Sequence, residues 1–490
     1  MINFDLLYKS KNVQFSYYKK ANDVEKFDTN DLVSKAESID AYLSQHFSNS
    51  SEPSIFFRAK KPSDLFSNAT LLYGHLTKGW NIMHFDPDEV SEHWTELDVP
   101  SDLSMELTKV YKFSGRHPTS HSKFLEPLQV FGTSGTTSQS KLVPIRKSKL
   151  LFNLEASTEL YTNCKKMLSV MPLGHVNAIC GAMTYCIIKG VDFVHSDFAS
   201  IVYFDKLMKL ERPDLLNCSP FFLESIVKLD RISRALHNLP AHIVCASAPL
   251  KEETFVTISS FGSNVRPAYG LSEAVNFSIG FGANDRNSAN AIFEKYKYLP
   301  TGRALKGNTV KIIDERANEL AEGEIGNIAI GGKIVFDGYL NKCVELPFLT
   351  SPKGYKLLLT GDRGFKKVLD GCAYIKVTGR NKETINFRGL QYYFTDLENT
   401  LRPVVNLDFY ISDANIFDIT VNRDTSIFIA LESSPQLEKF IQNNGDLRKT
   451  ISKLIGNIPF SIVEIAEIPR TESGKVKRLK RVHYVKKLFE

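Results

Sequence analysis

The chain has 490 residues, 43% of them hydrophobic, with 61 Lys and Arg against 55 Asp and Glu and a formal net charge of +6. That length exceeds a single hydrophobic core, and the balance excludes a disordered chain and gives no ground for nucleic-acid binding by charge alone. No apolar run approaches the roughly 18 residues that cross a bilayer.

The seven cysteines (Cys164, Cys180, Cys186, Cys218, Cys245, Cys343, Cys372) are odd in number, mostly embedded in apolar segments, and never spaced as C-x-x-C. They read as reduced structural thiols, with neither a disulfide framework nor a zinc site. The start, MINFDLLYKSKNVQF, lacks the apolar block of a secretion signal, so a cytoplasmic location is expected.

In the first hundred residues a helix is predicted over 31–47 and an apolar strand over 53–57. The stretch 130–144, VFGTSGTTSQSKLVP, then breaks from an apolar run into glycine and hydroxyl residues and recovers behind Lys141. Gly132 and Gly135 permit turns that aim successive N–H groups into one concavity, while Thr133, Ser134, Thr136, Thr137, Ser138 and Ser140 add hydroxyls. This is an anion cradle in chemical terms, but without the spacing of a Walker loop.

From Lys141 to about Gly270, short β-rich runs (142–145, 167–172, 191–194, 215–219, 242–246) alternate with segments of helical period (147–164, 176–188, 221–229, 252–261). That rhythm predicts a parallel sheet covered by helices, with ligands at the carboxyl ends of its strands. VKIID (310–314) and NIAIGG (327–332), divided by a turn-rich segment, predict antiparallel strands of a small barrel-like subdomain. After Gly379 a compact α+β unit is expected: a helix over 394–401, two strands around 422–424, a helix over 436–455, and the strand FSIVEIAEI.

YGLSE (269–273) places an aromatic ring, a flexible glycine, a hydroxyl and a carboxylate within five residues; the ring suits a base and the carboxylate suits magnesium. LTGDR (359–363) offers Asp362, VTGRNKE offers Arg380, and PRTESGKVKR (469–478) presents Lys475 on a glycine-softened loop. Each alone also fits a turn or a solvated surface.

Together and in this order, with ASAPL (246–250) and GRNKETINFRG, these motifs resemble the ATP-dependent adenylate-forming (AMP-binding) ligases, which include acyl-CoA synthetases, adenylation domains and luciferases. The resemblance covers Phe131 to the C-terminus and is weak before it. It implies an α/β fold with a large N-terminal domain, residues 1–381, of parallel α/β sheets plus the barrel-like subdomain, and a mobile α+β domain, residues 382–490, beyond a hinge at Lys382.

It also implies that the loop from Thr133 to Lys141, including Ser134, Gly135, Thr136 and Thr137, holds the outer phosphates of ATP. Ala248, Pro249, Tyr269 and Gly270 frame the adenine, Asp362 takes the ribose hydroxyls, and Arg380 reaches the nucleotide. Glu273 falls at the magnesium position, with Ser272 in place of the usual threonine. Lys475 matches the lysine that touches the reacting carboxylate and α-phosphate, and Gly389 lies on the loop facing the incoming thiol. Two departures are Ser138 and Ser140, where a glycine and a proline are usual, and Asn386, where a lysine is frequent.

In MPLGHVNAICGAMTY, His175 resembles the residue that seals the acyl pocket. Val176 stands where amino-acid-activating members carry an aspartate, and Asn177 adds a polar group. A buried ammonium without a counter-charge is costly, so an aliphatic or aromatic acid is favoured over an α-amino acid.

The expected activity is activation of a small carboxylic acid by Mg-ATP as acyl-adenylate, then transfer to a thiol. No carrier domain follows Glu490, so the thiol is expected in trans, from coenzyme A or the phosphopantetheine of an acyl or peptidyl carrier protein. The basic tail KVKRLKRVHYVKK could steer either. Alternatives are a non-thiol acceptor with an amino or aryl acid, and a degenerate nucleotide-binding protein. Nucleic acid is not an expected partner, since the tail lacks aromatic interleaving.

Overall fold

The computed structural model describes residues 12–488 apart from 21–22, 47–54, 60, 62, 86–93, 98–107, 115–125, 134–140, 162–163, 197–200, 234, 283–287, 342–345, 351–353, 355, 382, 388–389, 414–426, 444–445, 472–473 and 479–483. Contacts divide the chain into a first unit, residues 1–310, 329–358 and 368–375, and a second, residues 311–328, 359–367 and 376–490.

The first unit is built on a nine-stranded sheet. Its order is Arg303–Ala304, Phe277–Gly280, Asn264–Gly270, His242–Cys245, Leu215–Cys218, Lys166–Ser169, Asp192–Ser196, Gln14–Lys20 and Asp23–Asp28. The six strands from Asn264–Gly270 to Gln14–Lys20 run parallel. Burial on both faces explains their short, nearly continuous apolar runs, such as Leu215–Cys218, which is buried throughout.

Helices connect them. The one over Thr184–Lys189 ends where Gly190 turns left-handed at φ 70, its N–H bonding Cys186 O at 3.0 Å. The helix expected over 147–164 is shorter, Lys147–Ser157 followed by a 3-10 turn over Thr158–Leu160.

A second, six-stranded sheet runs Trp94–Leu97, Thr108–Phe113, Ile55–Ala59, Asn81–His84, Leu128–Thr133 and Lys141–Arg146. Here one expectation is corrected: the 142–145 run does not join the parallel sheet but pairs antiparallel with Leu128–Thr133. Only the short stretch 134–140 separates the two strands, too little for the crossover that parallel strands require.

Helix Thr29–His46 and helix Leu65–Thr77 also belong to this unit. His75 in the latter is fully buried, with Nδ1 2.8 Å from Trp80 O, and burial pushes its pKa down to about 3. An unfolded histidine titrates near 6.5, so below that value the unfolded chain binds a proton that the folded chain refuses. His75 therefore removes stability as pH falls toward 3, at up to about 1.4 kcal/mol per pH unit. Urea unfolding of wild type and His75→Asn between about pH 7 and pH 5 checks this: the variant's slope against pH is expected to be shallower, and equal slopes contradict it.

A five-stranded sheet orders Thr309–Ile313, Gly326–Gly331, Lys356–Leu369 and Phe348–Thr350, with Cys372–Arg380 paired to Lys356–Leu369.

In the second unit a four-stranded sheet orders Phe409–Asp413, Ile427–Glu432, Phe460–Ile465 and Tyr484–Leu488, its central pair parallel. Helix Phe394–Leu401 falls where predicted. The single helix expected over 436–455 is two, Pro435–Asn443 and Leu447–Leu454, with Asp446 non-helical ahead of the second. Leu401, Ile411, Ile429, Ile451 and Ile462 form its fully buried core.

The C-terminal basic stretch is also more than a solvated tail. Tyr484–Leu488 completes the sheet, and Arg478 is buried between Glu398 and Glu383.

Candidate active site

The six-stranded sheet presents the hairpin that carries the anion-cradle motif. Thr133 and Lys141 are its last paired residues, and the Thr133 hydroxyl donates to Lys141 O at 3.4 Å. The intervening Ser134, Gly135, Thr136, Thr137, Ser138 and Ser140 lie outside the described residues.

Lys141 Nζ sits 5.0 Å from the centroid of the Tyr339 ring, and the Tyr339 hydroxyl donates to Glu273 Oε1 at 2.8 Å. One tyrosine thus bridges the cation of the hairpin and the carboxylate of the YGLSE turn. Burial, reinforced by the Glu273 charge, pushes the Tyr339 phenol well above its ordinary range, so the hydroxyl remains a donor.

Several contacts hold Tyr339 in place. Leu340 N bonds Leu142 O and Leu142 N bonds Asn341 Oδ1, each at 3.0 Å, while Phe336 N bonds Glu273 O at 2.8 Å. Asp337 meets Arg146 Nε at 2.6 Å and Lys149 Nζ at 3.2 Å. Burial would raise the Asp337 carboxyl, but these two cations outweigh it and hold it below the usual range. Sequence reasoning missed Tyr339 because DGYL reads as a turn; the one available signal was an aromatic residue inside it.

Tyr269 and Gly270 end a strand that folds back on Phe277–Gly280, and Ser272 and Glu273 form a 3-10 turn between the two. A Cβ on Gly270 would lie 1.5 Å from Asn276 O, so only glycine lets this turn close. Val275 within it has φ 65, a strained value for a β-branched residue. Ala248 and Pro249 follow the carboxyl end of His242–Cys245, beyond Ser247 at φ 81.

His175 and Val176 lead into a helix over Asn177–Met183 of π type, a form that recurs at functional sites. Asn177 is buried within it.

Among the described residues, the predicted Asp362, Arg380 and Lys475 belong to the second unit. Arg380 Nε pairs with Asp362 Oδ1 at 3.3 Å, and the Asp362 N–H donates to Thr360 Oγ1 at 3.1 Å. The Arg380 side chain is 53% exposed, so this pair contributes under about 1 kcal/mol and the guanidinium is easily redirected. Lys475 sits on a tight hairpin in which Arg470 bridges Val476 and Gly474 takes φ 84. Its N–H donates to Thr471 Oγ1 at 3.1 Å and its carbonyl accepts from Thr471 N at 2.8 Å. Lys382 and Gly389 lie outside the described residues, as does the side chain of Asn386.

Among the described residues no three His, Cys, Asp or Glu side chains cluster as a metal cage, and no helix is long and apolar enough to cross a membrane. Glu273 offers a hard oxygen on the same tyrosine that Lys141 overlies, which suits a magnesium ion shared with phosphates rather than caged by protein.

The sequence model of AMP-binding enzymes matches residues 44–340, more than half of the chain. The chain belongs to the AMP-binding enzyme family. This AMP-binding enzyme is 26% identical over 384 residues to the oxalate–CoA ligase of Saccharomyces cerevisiae, covering 75% of this chain and 65% of that one. It is 28% identical over 193 residues to the D-alanine–D-alanyl carrier protein ligase of Listeria monocytogenes, covering 38% and 36% of the two. The chain thus spans less than two thirds of the length of these relatives.

The O-succinylbenzoate coenzyme A synthetase of Bacillus subtilis, solved with AMP, shares the fold at TM-score 0.68 and 15% identity, over 97% of this chain and 96% of that one.

Proposed function

We propose that this AMP-binding enzyme activates a carboxylic acid with ATP and passes the acyl group to a thiol. The observation that carries the reading is the Lys141–Tyr339–Glu273 arrangement at the mouth of the Thr133–Lys141 hairpin, in a chain of this family.

In the first step the acid's oxygen attacks the α-phosphorus and the bond to pyrophosphate breaks. Lys141 and the 133–141 loop hold the departing pyrophosphate; Lys475 offsets charge on the α-phosphate and the reacting carboxylate. Glu273 would hold a magnesium ion, which would supply neutralisation of phosphate charge. The Tyr339 hydroxyl fixes one Glu273 oxygen and keeps the carboxylate oriented. Asp362 takes the ribose hydroxyls with Arg380 beside it, while Ala248, Pro249, Tyr269 and Gly270 frame the base next to Ser272. His175, Val176 and Asn177 line the acyl side.

Residues 382–490 act as a mobile domain about Lys382, which brings the Gly389 loop to the thiol in the second step. The acceptor is coenzyme A or the phosphopantetheine of a carrier protein; the names of the relatives include a CoA ligase and a carrier protein ligase, and a cytoplasmic setting suits both acceptors.

Incubation with Mg-ATP, a panel of acids and each acceptor tests this. AMP, pyrophosphate and a thioester on one acceptor are expected; ADP, or thioester on neither, contradicts the reading.

A further inference from the structure

The order of the nine-stranded sheet reverses between two neighbours. From Lys166–Ser169 the chain continues to Asp192–Ser196 on one side, whereas from Leu215–Cys218 it continues to His242–Cys245 on the other. In an open α/β sheet the crevice outside the carboxyl ends of such a pair takes the ligand.

Here that point holds Ser169 and Asn217, register partners with no exposed surface. Asn217 Nδ2 donates to Ser169 Oγ at 3.2 Å and to Asn177 Oδ1 at 2.8 Å. Asn217 Oδ1 and Asn177 Nδ2 are then left buried with no hydrogen-bond partner.

About one turn on from Asn177, Gly181 admits two more polar atoms. A Cβ there would lie 2.4 Å from Asn276 Nδ2 and 3.0 Å from Tyr161 Oη, both also buried and unpartnered. Asn276 follows directly on the Glu273 turn.

Asn177 and Gly181, about one turn apart on the same helix, thus tie together four buried polar atoms without a partner, and each costs about 1–3 kcal/mol when left so. None of the four side chains is charged, so an ionised group among them would be buried without compensation. Two amide N–H₂ groups and a phenol can donate, and Asn217 Oδ1 accepts. Their complement is a neutral group with carbonyl or hydroxyl lone pairs and, in the best match, an N–H or O–H of its own.

We infer that the acid this enzyme activates carries a neutral hydrogen-bonding group on its tail, a carboxamide, hydroxyl or oxo function, held by Tyr161, Asn177, Asn217 and Asn276. The inference rests on the acid-activating reading and gives its substrate class.

Its test is ATP–pyrophosphate exchange over length-matched acids, for example hexanoate against 6-hydroxyhexanoate, 5-oxohexanoate and adipic acid monoamide, with the same sets at shorter and longer chain lengths. At the preferred length a polar acid is expected to exceed its apolar match in kcat/KM by at least about tenfold, the worth of one such hydrogen bond. Asn217→Leu and Asn276→Leu are each expected to bring that ratio toward one. Equal or higher kcat/KM for the apolar acids in the wild-type enzyme overturns the inference and leaves acid activation standing. Exchange with no acid of either class overturns acid activation, and the inference with it.

Discussion

Replacing Lys475 by alanine is expected to lower acid-dependent pyrophosphate exchange by about 10²- to 10³-fold, the usual loss when a donor aimed at developing charge is removed. The side chain is proposed to meet charge that peaks on the α-phosphate oxygens as the acid attacks, so the loss falls on kcat, while the KM for ATP changes little. The hairpin that carries Lys475 is built from backbone bonds to Thr471, the Arg470–Val476 bridge and the turn at Gly474, none of which needs the lysine side chain. The variant should therefore keep its fold, and circular dichroism alongside the kinetics checks this. Exchange within a few-fold of wild type would remove Lys475 from the reaction.

Replacing Arg478 by leucine is expected to destabilise the second unit by about 3–5 kcal/mol, the cost of leaving buried carboxylates without their cation. Arg478 is 9% exposed and fully engaged: Nη1 and Nη2 fork onto Glu398, Nε meets Glu383 at 2.7 Å, and Nη1 also donates to Ile411 O at 3.1 Å. Glu398 in turn accepts from Ile411 N at 2.7 Å, and Ser412 donates to Arg478 O at 2.9 Å. Lysine cannot reproduce the fork, so Arg478→Lys should recover only part of the loss. Arg478 lies three positions after Lys475, so the leucine variant should also slow exchange. Urea denaturation measures the stability change; a shift below about 1 kcal/mol would contradict the assigned role.

Elements with a strong local pattern were legible from the residues alone. Helix Phe394–Leu401 and the parallel strands around Leu215–Cys218 needed only periodicity. What was not legible depends on pairings distant in sequence. The run at 142–145 has the composition of a buried parallel strand, and only its partner, Leu128–Thr133, makes it half of a hairpin.

The site follows the same division. In isolation Asp362 reads as part of a turn and Arg380 as a surface residue, and the fold sets them 3.3 Å apart. Arg478 looks like one charge among many in a basic tail, and burial between Glu398 and Glu383 makes it structural. Tyr339 lies 66 residues from Glu273, and no spacing rule connects the two. Asn217 did carry a signal, a polar amide inside an apolar strand, but its leftover valence becomes visible only once Ser169 and Asn177 are beside it.

The central claim is reversible formation of an acyl-adenylate, and ATP–pyrophosphate exchange with purified protein, magnesium and labelled pyrophosphate measures it most directly. Label is expected to enter ATP only when a suitable carboxylic acid is added, with no thiol present, and the rate should fall sharply in Lys475→Ala. Exchange independent of acid, or ATP cleaved to ADP and phosphate with no label returned, would contradict the account.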